Sequence, residues 1–202
     1  MNTCSDLYAF DDEMRLRYGI ICGVDEAGRG PLAGNVYAAA VILPQGAVID
    51  GLNDSKKLSE KKREALFDEI TQKATAYAVA YADIEEIERI NILNAAMLAM
   101  KRAVEKLESY IMPDTALVDG DKKPSVKMNC EAIVKGDGLS ASIAAASVLA
   151  KVSRDREMRE TAKIYPQYLF EKHKGYGTKL HYEKLREYGP CPIHRMSFLK
   201  NL

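Results

Sequence analysis

No apolar run in this 202-residue chain approaches the ~20 residues that a membrane-spanning helix needs. The amino terminus, Met1-Asn2-Thr3-Cys4-Ser5-Asp6, has neither the basic start nor the apolar stretch of a secretory signal. Cysteine is sparse: Cys4, Cys22, Cys130 and Cys191 stand apart, with no Cys-x-x-Cys spacing. That argues against a disulfide framework or a zinc site, and for a reducing cytoplasm. The three histidines, His173, His181 and His194, lack metal-ligand spacing, so each reads as a packing or surface residue. Repeats, low-complexity tracts and long Pro/Gly/Ser linkers are missing too, which leads us to expect one domain over 1–202 with a short C-terminal helical portion over about 178–202.

Net charge is also absent, but the charges are unevenly placed. From Lys151 to Leu202, 12 Lys and Arg stand against 6 Asp and Glu, whereas from Met1 to Asp50 there are 3 against 7. A basic C-terminal quarter beside an acidic amino-terminal part suits a polyanion held by cations while carboxylates bind metal. A solvated helix surface has the same composition, so charge alone does not decide between them.

Hydrophobic residues make up 47% and charged residues 29%, ordinary values for a globular protein. Residues 19–25 and 36–43 read as two apolar strands joined by a glycine-rich turn, and 75–81 as a third. Short apolar runs at 116–120 and 131–135 each lead into a carboxylate beside glycine. Ser59 caps a helix to about Lys73, and the Asp83-x-x-Glu86 capping box opens one to about Ser109, with a break near Asn91. Ser140 caps an alanine-rich helix to about Tyr165, and Thr178 caps one ending at Gly189-Pro190. Strands in series followed by strands alternating with helices predict an α/β fold, a mixed sheet covered by helices.

Charged residues are rarely buried unless paired or bound to metal, so Asp25 and Glu26 at the end of an apolar strand need a reason. Successive strand residues face opposite sides, and the two can share a site only if the strand breaks there; Gly28-Arg29-Gly30 supplies the expected break. Asp119 and Asp137 occupy similar strand-end positions. Four carboxylates without Cys or His select a hard cation, Mg²⁺ or Mn²⁺, and two such ions suit phosphodiester hydrolysis. Ser55 beside Lys56 and Lys57, or Ser147 four residues before Lys151, has the composition of a serine–lysine nucleophile, but capping, turn formation and phosphate contact explain these residues better. Gly28 to Gly34 lacks the Gly-Lys-Ser/Thr ending of a nucleotide phosphate loop.

The run Gly23-Val24-Asp25-Glu26-Ala27-Gly28-Arg29-Gly30-Pro31-Leu32-Ala33-Gly34 resembles the opening signature of the type 2 ribonuclease H family, in its bacterial ribonuclease HII form. The resemblance continues in order through Asp54-Ser55-Lys56-Lys57, Val118-Asp119-Gly120, Lys135-Gly136-Asp137, Ala145 to Val152, Arg154-Asp155, His173 to Thr178 and Gly189 to Arg195. It implies a ribonuclease H-like fold with a central mixed five-stranded sheet flanked by helices. It also implies an endonuclease that hydrolyses the RNA strand of RNA–DNA hybrids and cleaves 5′ to single ribonucleotides in duplex DNA, leaving 3′-hydroxyl and 5′-phosphate ends. Asp25, Glu26, Asp119 and Asp137 match the family's metal-binding carboxylates. Gly28, Arg29 and Gly30 match the segment whose backbone reads the 2′-hydroxyl. Tyr176 matches the tyrosine that packs on the sugar beyond the scissile phosphate, and Lys56 falls in a phosphate-contacting block. Asp155 lies in a matching block mid-helix and is expected to be a structural ion-pair partner. Asn35 stands where many relatives have proline.

The expected partners are RNA–DNA hybrid and ribonucleotide-containing duplex DNA, with no membrane and a monomeric chain; the sequence names neither the preferred metal nor a protein partner such as a sliding clamp. Type 3 relatives cut hybrids but handle single ribonucleotides poorly, and generally carry an N-terminal substrate-binding domain. Some eighteen residues before the first strand are too few for that domain. A non-catalytic hybrid-binding module is the other alternative, and the presence of all four carboxylates speaks against it.

Overall fold

The computed structural model describes residues 4–53, 55 and 58–199, so Lys56, expected to contact phosphate, lies outside the described residues. Five strands form one sheet: β1 (Ile21–Ala27), β2 (Val36–Ile42), β3 (Ala76–Ala82), β4 (Thr115–Asp119) and β5 (Asn129–Ile133). Their spatial order is β3-β2-β1-β4-β5. The first three pair antiparallel through short connections, while β4 joins β1 and β5 joins β4 in parallel. Parallel neighbours need a crossover, and α3 (Ile84–Glu108) provides the one from β3 to β4.

Strand alternation sorts the apolar residues into two layers. Cys22, Val24, Val36, Ala38, Ala40, Ala116 and Val118 pack with α3 on one face. Ala39 and Val41 pack on the other with α4 (Ala141–Ile164) and α2 (Glu60–Lys73). The alanine-rich face of α4 lets it lie close to the sheet. A Cβ on Gly23 would stand 2.1 Å from the Ser142 carbonyl carbon, so β1 needs glycine where α4 begins. The kink expected near Asn91 is present: Asn91 adopts φ 65°, and its side-chain oxygen accepts the N–H groups of Leu93 and Asn94, restarting the helix.

An amino-terminal helix, α1 (Cys4–Tyr18), was not evident in the residue pattern. Its inward stripe is Leu7, Asp11 and Met14, with a carboxylate in the middle. Asp11 accepts from the hydroxyls of Ser140 and Ser142, each at 2.6 Å, and from the Ser142 N–H at 2.8 Å, which clamps α1 to the start of α4. Two strand boundaries also differ from expectation. β1 runs on to Ala27, held by the pairing of Ala27 with Tyr37, and β5 spans Asn129–Ile133, ending before Lys135, which is left-handed at φ 59°. Beyond α4, the short α5 (Phe170–His173) and α6 (Lys179–Tyr188) fold against Leu32, Ala33 and Met158. Among the described residues no helix is long and apolar enough to cross a membrane.

Candidate active site

Val24 of β1 pairs with Val118 of β4, and the same parallel register carries Asp25 and Asp119 side by side at the carboxyl ends of adjacent strands. In an open α/β sheet this end is where ligands bind. Asp137 comes from the short turn Gly136–Gly138 after β5. The Asp119 carboxylate holds that turn in place by accepting the Gly136 N–H at 2.7 Å, with the Asp137 N–H at 3.4 Å. As a result, oxygens of Asp25, Asp119 and Asp137 all lie within 4.8 Å of one another. This oxygen-only donor set, gathered from three separate segments, fits a hard divalent cation.

Electrostatics at Asp25 points the same way. Burial pushes its carboxyl well above the usual carboxylate range, and the charges of Glu26 and Asp119 push it further in the same direction. The Ser147 hydroxyl and the Glu26 N–H, the latter at 2.7 Å, donate to it and oppose that shift. Ser147 is itself hydrogen-bonded to Ser55 at 2.8 Å. The two serines therefore orient Asp25. Lys151 is engaged by Asp155 at 2.6 Å, so the Ser147–Lys151 pair is not assembled as a nucleophile, and Asp155 is the structural partner that its helical position suggested; Lys56 and Lys57 beside Ser55 lie outside the described residues.

Glu26 does not join the group of three. Because β1 continues through Ala27, alternation persists and the strand break expected between the two carboxylates is not there. The Glu26 side chain lies 3.3 Å from Arg29, although its charge is still felt at Asp25. The Arg29 side chain is half exposed, so this ion pair adds little to stability.

The turn after β1 is shaped by two fully buried arginines that the residue pattern did not single out. Arg195 donates to the carbonyls of Gly28, Arg29, Pro31, Gly34 and Asn35 at 2.6–3.2 Å. Arg154 donates to Ala33, Asn35 and Lys174 carbonyls at 3.0–3.2 Å. Burial, with Arg154 nearby, pulls Arg195 down to about 9. Gly28 sits at φ 105°, and a Cβ there would meet the Arg154 side chain at 2.4 Å. Gly30 opens onto free space. With the turn's carbonyls drawn inward, the N–H groups of Arg29 and Gly30 have no partner among the described residues. The Asn35 amide donates to Glu157 of α4 at 2.7 Å, which fastens the far end of the turn.

Tyr176 lies in the link between α5 and α6, and its ring is partly exposed. Lys151 and Arg154 stand 5.3 and 5.6 Å from its ring centre. Ser147, Lys151 and Arg154 form one stripe along α4, with Ser147 touching Asp25 and Arg154 reaching both the glycine turn and Tyr176. About 10 Å of helix, at ~1.5 Å per residue, thus joins the carboxylates to the turn and the tyrosine. His173, His181 and His194 form one buried group beside Tyr176; burial lowers all three from the ordinary histidine value, His181 to about 4.

The family model for ribonuclease HII matches residues 22–201. The Ribonuclease HII of Caldicellulosiruptor bescii is 60% identical over 185 residues, covering 92% of this chain and 89% of that one. Among solved structures, ribonuclease H2 from Pyrococcus horikoshii OT3 has a TM-score of 0.71 at 27% identity, covering 88% of this chain and 92% of that one. The PCNA:RNase HII complex from Archaeoglobus fulgidus contains a chain with a TM-score of 0.69 at 26% identity, covering 88% of this chain and 94% of that one.

Proposed function

The chain belongs to the ribonuclease HII family, and from that membership we propose an endonuclease that hydrolyses the RNA strand of RNA–DNA hybrids and also cuts 5′ to a single ribonucleotide in duplex DNA. The products are a 3′-hydroxyl and a 5′-phosphate. One observation carries the reading: three carboxylates from three segments converge within 4.8 Å at the carboxyl end of the sheet.

Asp25, Asp119 and Asp137 would hold the metal, with Glu26, whose charge already acts on Asp25, completing the ligand set. Two divalent ions, Mg²⁺ or Mn²⁺, would when bound activate a water on one side of the phosphodiester and stabilise the leaving oxygen on the other. A bound cation would offset the burial and the repulsion from Glu26 and Asp119 that together raise the Asp25 carboxyl, and so would favour its charged form.

Recognition falls to the turn and the tyrosine. The 2′-hydroxyl is what distinguishes RNA from DNA, and the unpartnered N–H groups of Arg29 and Gly30 are donors a 2′-oxygen can accept from. Gly30 leaves the approach clear of any side chain. The Tyr176 ring, backed by Lys151 and Arg154, offers a flat surface to the next sugar, where an added hydroxyl would crowd it. Lys56 and the basic C-terminal quarter supply phosphate contacts, which position the duplex without reading its sequence.

The test compares an all-RNA hybrid strand with a DNA strand holding one ribonucleotide, each in Mg²⁺ and in Mn²⁺, for wild type and Asp25→Asn. Wild type is expected to cut both and D25N neither. Cutting only the hybrid would favour the type 3 activity. A wild type without divalent-dependent cleavage would point to a binding module.

A further inference from the structure

The three buried histidines have a single consistent proton arrangement. The Cys191 N–H donates to His194 Nδ1 at 2.9 Å, so the His194 proton sits on Nε2. That Nε2–H points at His181 Nε2, 3.0 Å away, which must therefore accept. The His181 proton is left on Nδ1, from which it donates to the Tyr176 carbonyl at 3.0 Å. His173 stacks on His181 with ring centres 4.3 Å apart and is fixed separately, accepting the Gly175 N–H on Nδ1 and donating from Nε2 to the Tyr168 carbonyl.

Both ends of this chain of bonds reach the recognition elements. His194 pairs with Ala33 in an isolated bridge, the Arg195 N–H donates to Leu32, and the Gly34 N–H donates to Ile193. At the other end the Leu32 N–H donates to Gly175, immediately before Tyr176. A Cβ on Gly175 would lie 2.7 Å from the Ala33 carbonyl oxygen, so the two segments touch through backbone. The circuit runs from the glycine turn through His194, His181 and Tyr176, and returns through Gly175.

We infer that His194 and His181 form a positioning relay that sets the distance and tilt of Tyr176 relative to the glycine turn, and so sets how strictly the enzyme reads a ribonucleotide followed by a deoxyribonucleotide. The inference rests on the roles proposed above for Tyr176 and the turn. Neither histidine touches substrate; each acts through the Tyr176 peptide. A ribonucleotide–deoxyribonucleotide junction needs both elements in register, whereas a continuous RNA strand presents a 2′-hydroxyl at every position.

The experiment measures kcat/KM on the single-ribonucleotide duplex and on the all-RNA hybrid for His194→Phe, His194→Gln, Tyr176→Ala and the H194F/Y176A double variant. Phe keeps the ring but removes both the Nε2–H donor and the Nδ1 that accepts the Cys191 N–H, and H194F should lower the single-ribonucleotide value about tenfold more than the hybrid value, the size of the one lost bond that leads to Tyr176. Gln places an amide N–H near the same point, and H194Q should restore the ratio. In the Y176A background, H194F should change the ratio no further. Equal losses on both substrates in H194F, or the same change of ratio in the Y176A background, would overturn the relay. Should H194F fail to fold, H194Q against the shorter His194→Asn decides, with the ratio kept in the first and lost in the second. Y176A with an unaltered ratio would instead overturn the role of Tyr176 itself, whereas a Y176A effect without an H194F effect overturns the relay alone.

Discussion

Asp25→Asn is expected to stabilise the metal-free protein while abolishing cleavage. Asp25 is 2% exposed, its carboxyl is raised by burial and by the charges of Glu26 and Asp119, and the folded state holds it against that penalty. An acid whose folded pKa lies above its unfolded value costs stability at every pH above the unfolded value, increasingly until the folded pKa is passed. Two unit charges 4.8 Å apart repel by about 3.5 kcal/mol at an effective dielectric of ~20. Partial protonation reduces this, and Asn gives up part of the hydrogen bonding from Ser147 and the Glu26 N–H, leaving a net gain of about 1–3 kcal/mol. At ~2–4 °C per kcal/mol for a chain of this size, D25N should melt roughly 3–10 °C above wild type in EDTA. Divalent cation reverses the order. Wild type gains about 2.7 kcal/mol at a hundredfold excess over Kd, and D25N gains little. Thermal melting at pH 8 in EDTA and then in Mn²⁺ measures both differences. A D25N protein less stable than wild type in EDTA would refute the claim that these carboxylates are held in mutual repulsion.

Other expectations follow from the buried polar groups. Arg195→Met strands several carbonyls of the glycine turn, at ~1–3 kcal/mol for each left unsatisfied, so melting should fall by roughly 10 °C; Arg195→Lys should recover only part of it, because three donors cannot reproduce a planar fork. Asp11→Ala leaves the Ser140 and Ser142 hydroxyls without their acceptor and should cost about 3 kcal/mol while sparing kcat at 25 °C, as read by urea unfolding alongside a cleavage assay. The histidines supply a pH dependence: their folded pKa values lie below the unfolded one, so the unfolded chain binds protons first and stability falls as pH drops from about 6.5 towards the value of about 4 for His181. Raised carboxyls such as those of Asp11 and Glu157 act in the opposite sense, so the readout is the difference between wild type and His181→Asn. Wild type should lose more stability between pH 7 and pH 5 than H181N, and equal losses would contradict the assignment.

Much of the fold was readable because its signals are local. The apolar strands, the capping residues Ser59, Asp83, Ser140 and Thr178, and the kink at Asn91 all depend on a few neighbouring residues, and the structure has each of them. α1 was hidden because a buried aspartate occupies its inward stripe, and its partners Ser140 and Ser142 lie about 130 residues away. Asp25, Asp119 and Asp137 each carried a local mark, a carboxylate at the end of an apolar run, but their meeting depends on sheet order. Glu26 was grouped with them by its place beside Asp25 and by the family resemblance; pairing with β2 keeps the strand alternating there, so its side chain lies by Arg29 and outside the group of three. Arg154 and Arg195 stood only as members of longer matching blocks, without a role of their own. Only the folded chain shows that backbone carbonyls, which leave no trace in side-chain sequence, are what they serve.

Anomalous diffraction from crystals soaked in Mn²⁺ tests the central claim most directly. The account predicts manganese peaks among the carboxylates of Asp25, Asp119 and Asp137, lost in D25N. Manganese bound elsewhere with these three carboxylates bare, at concentrations that support cleavage, would contradict it.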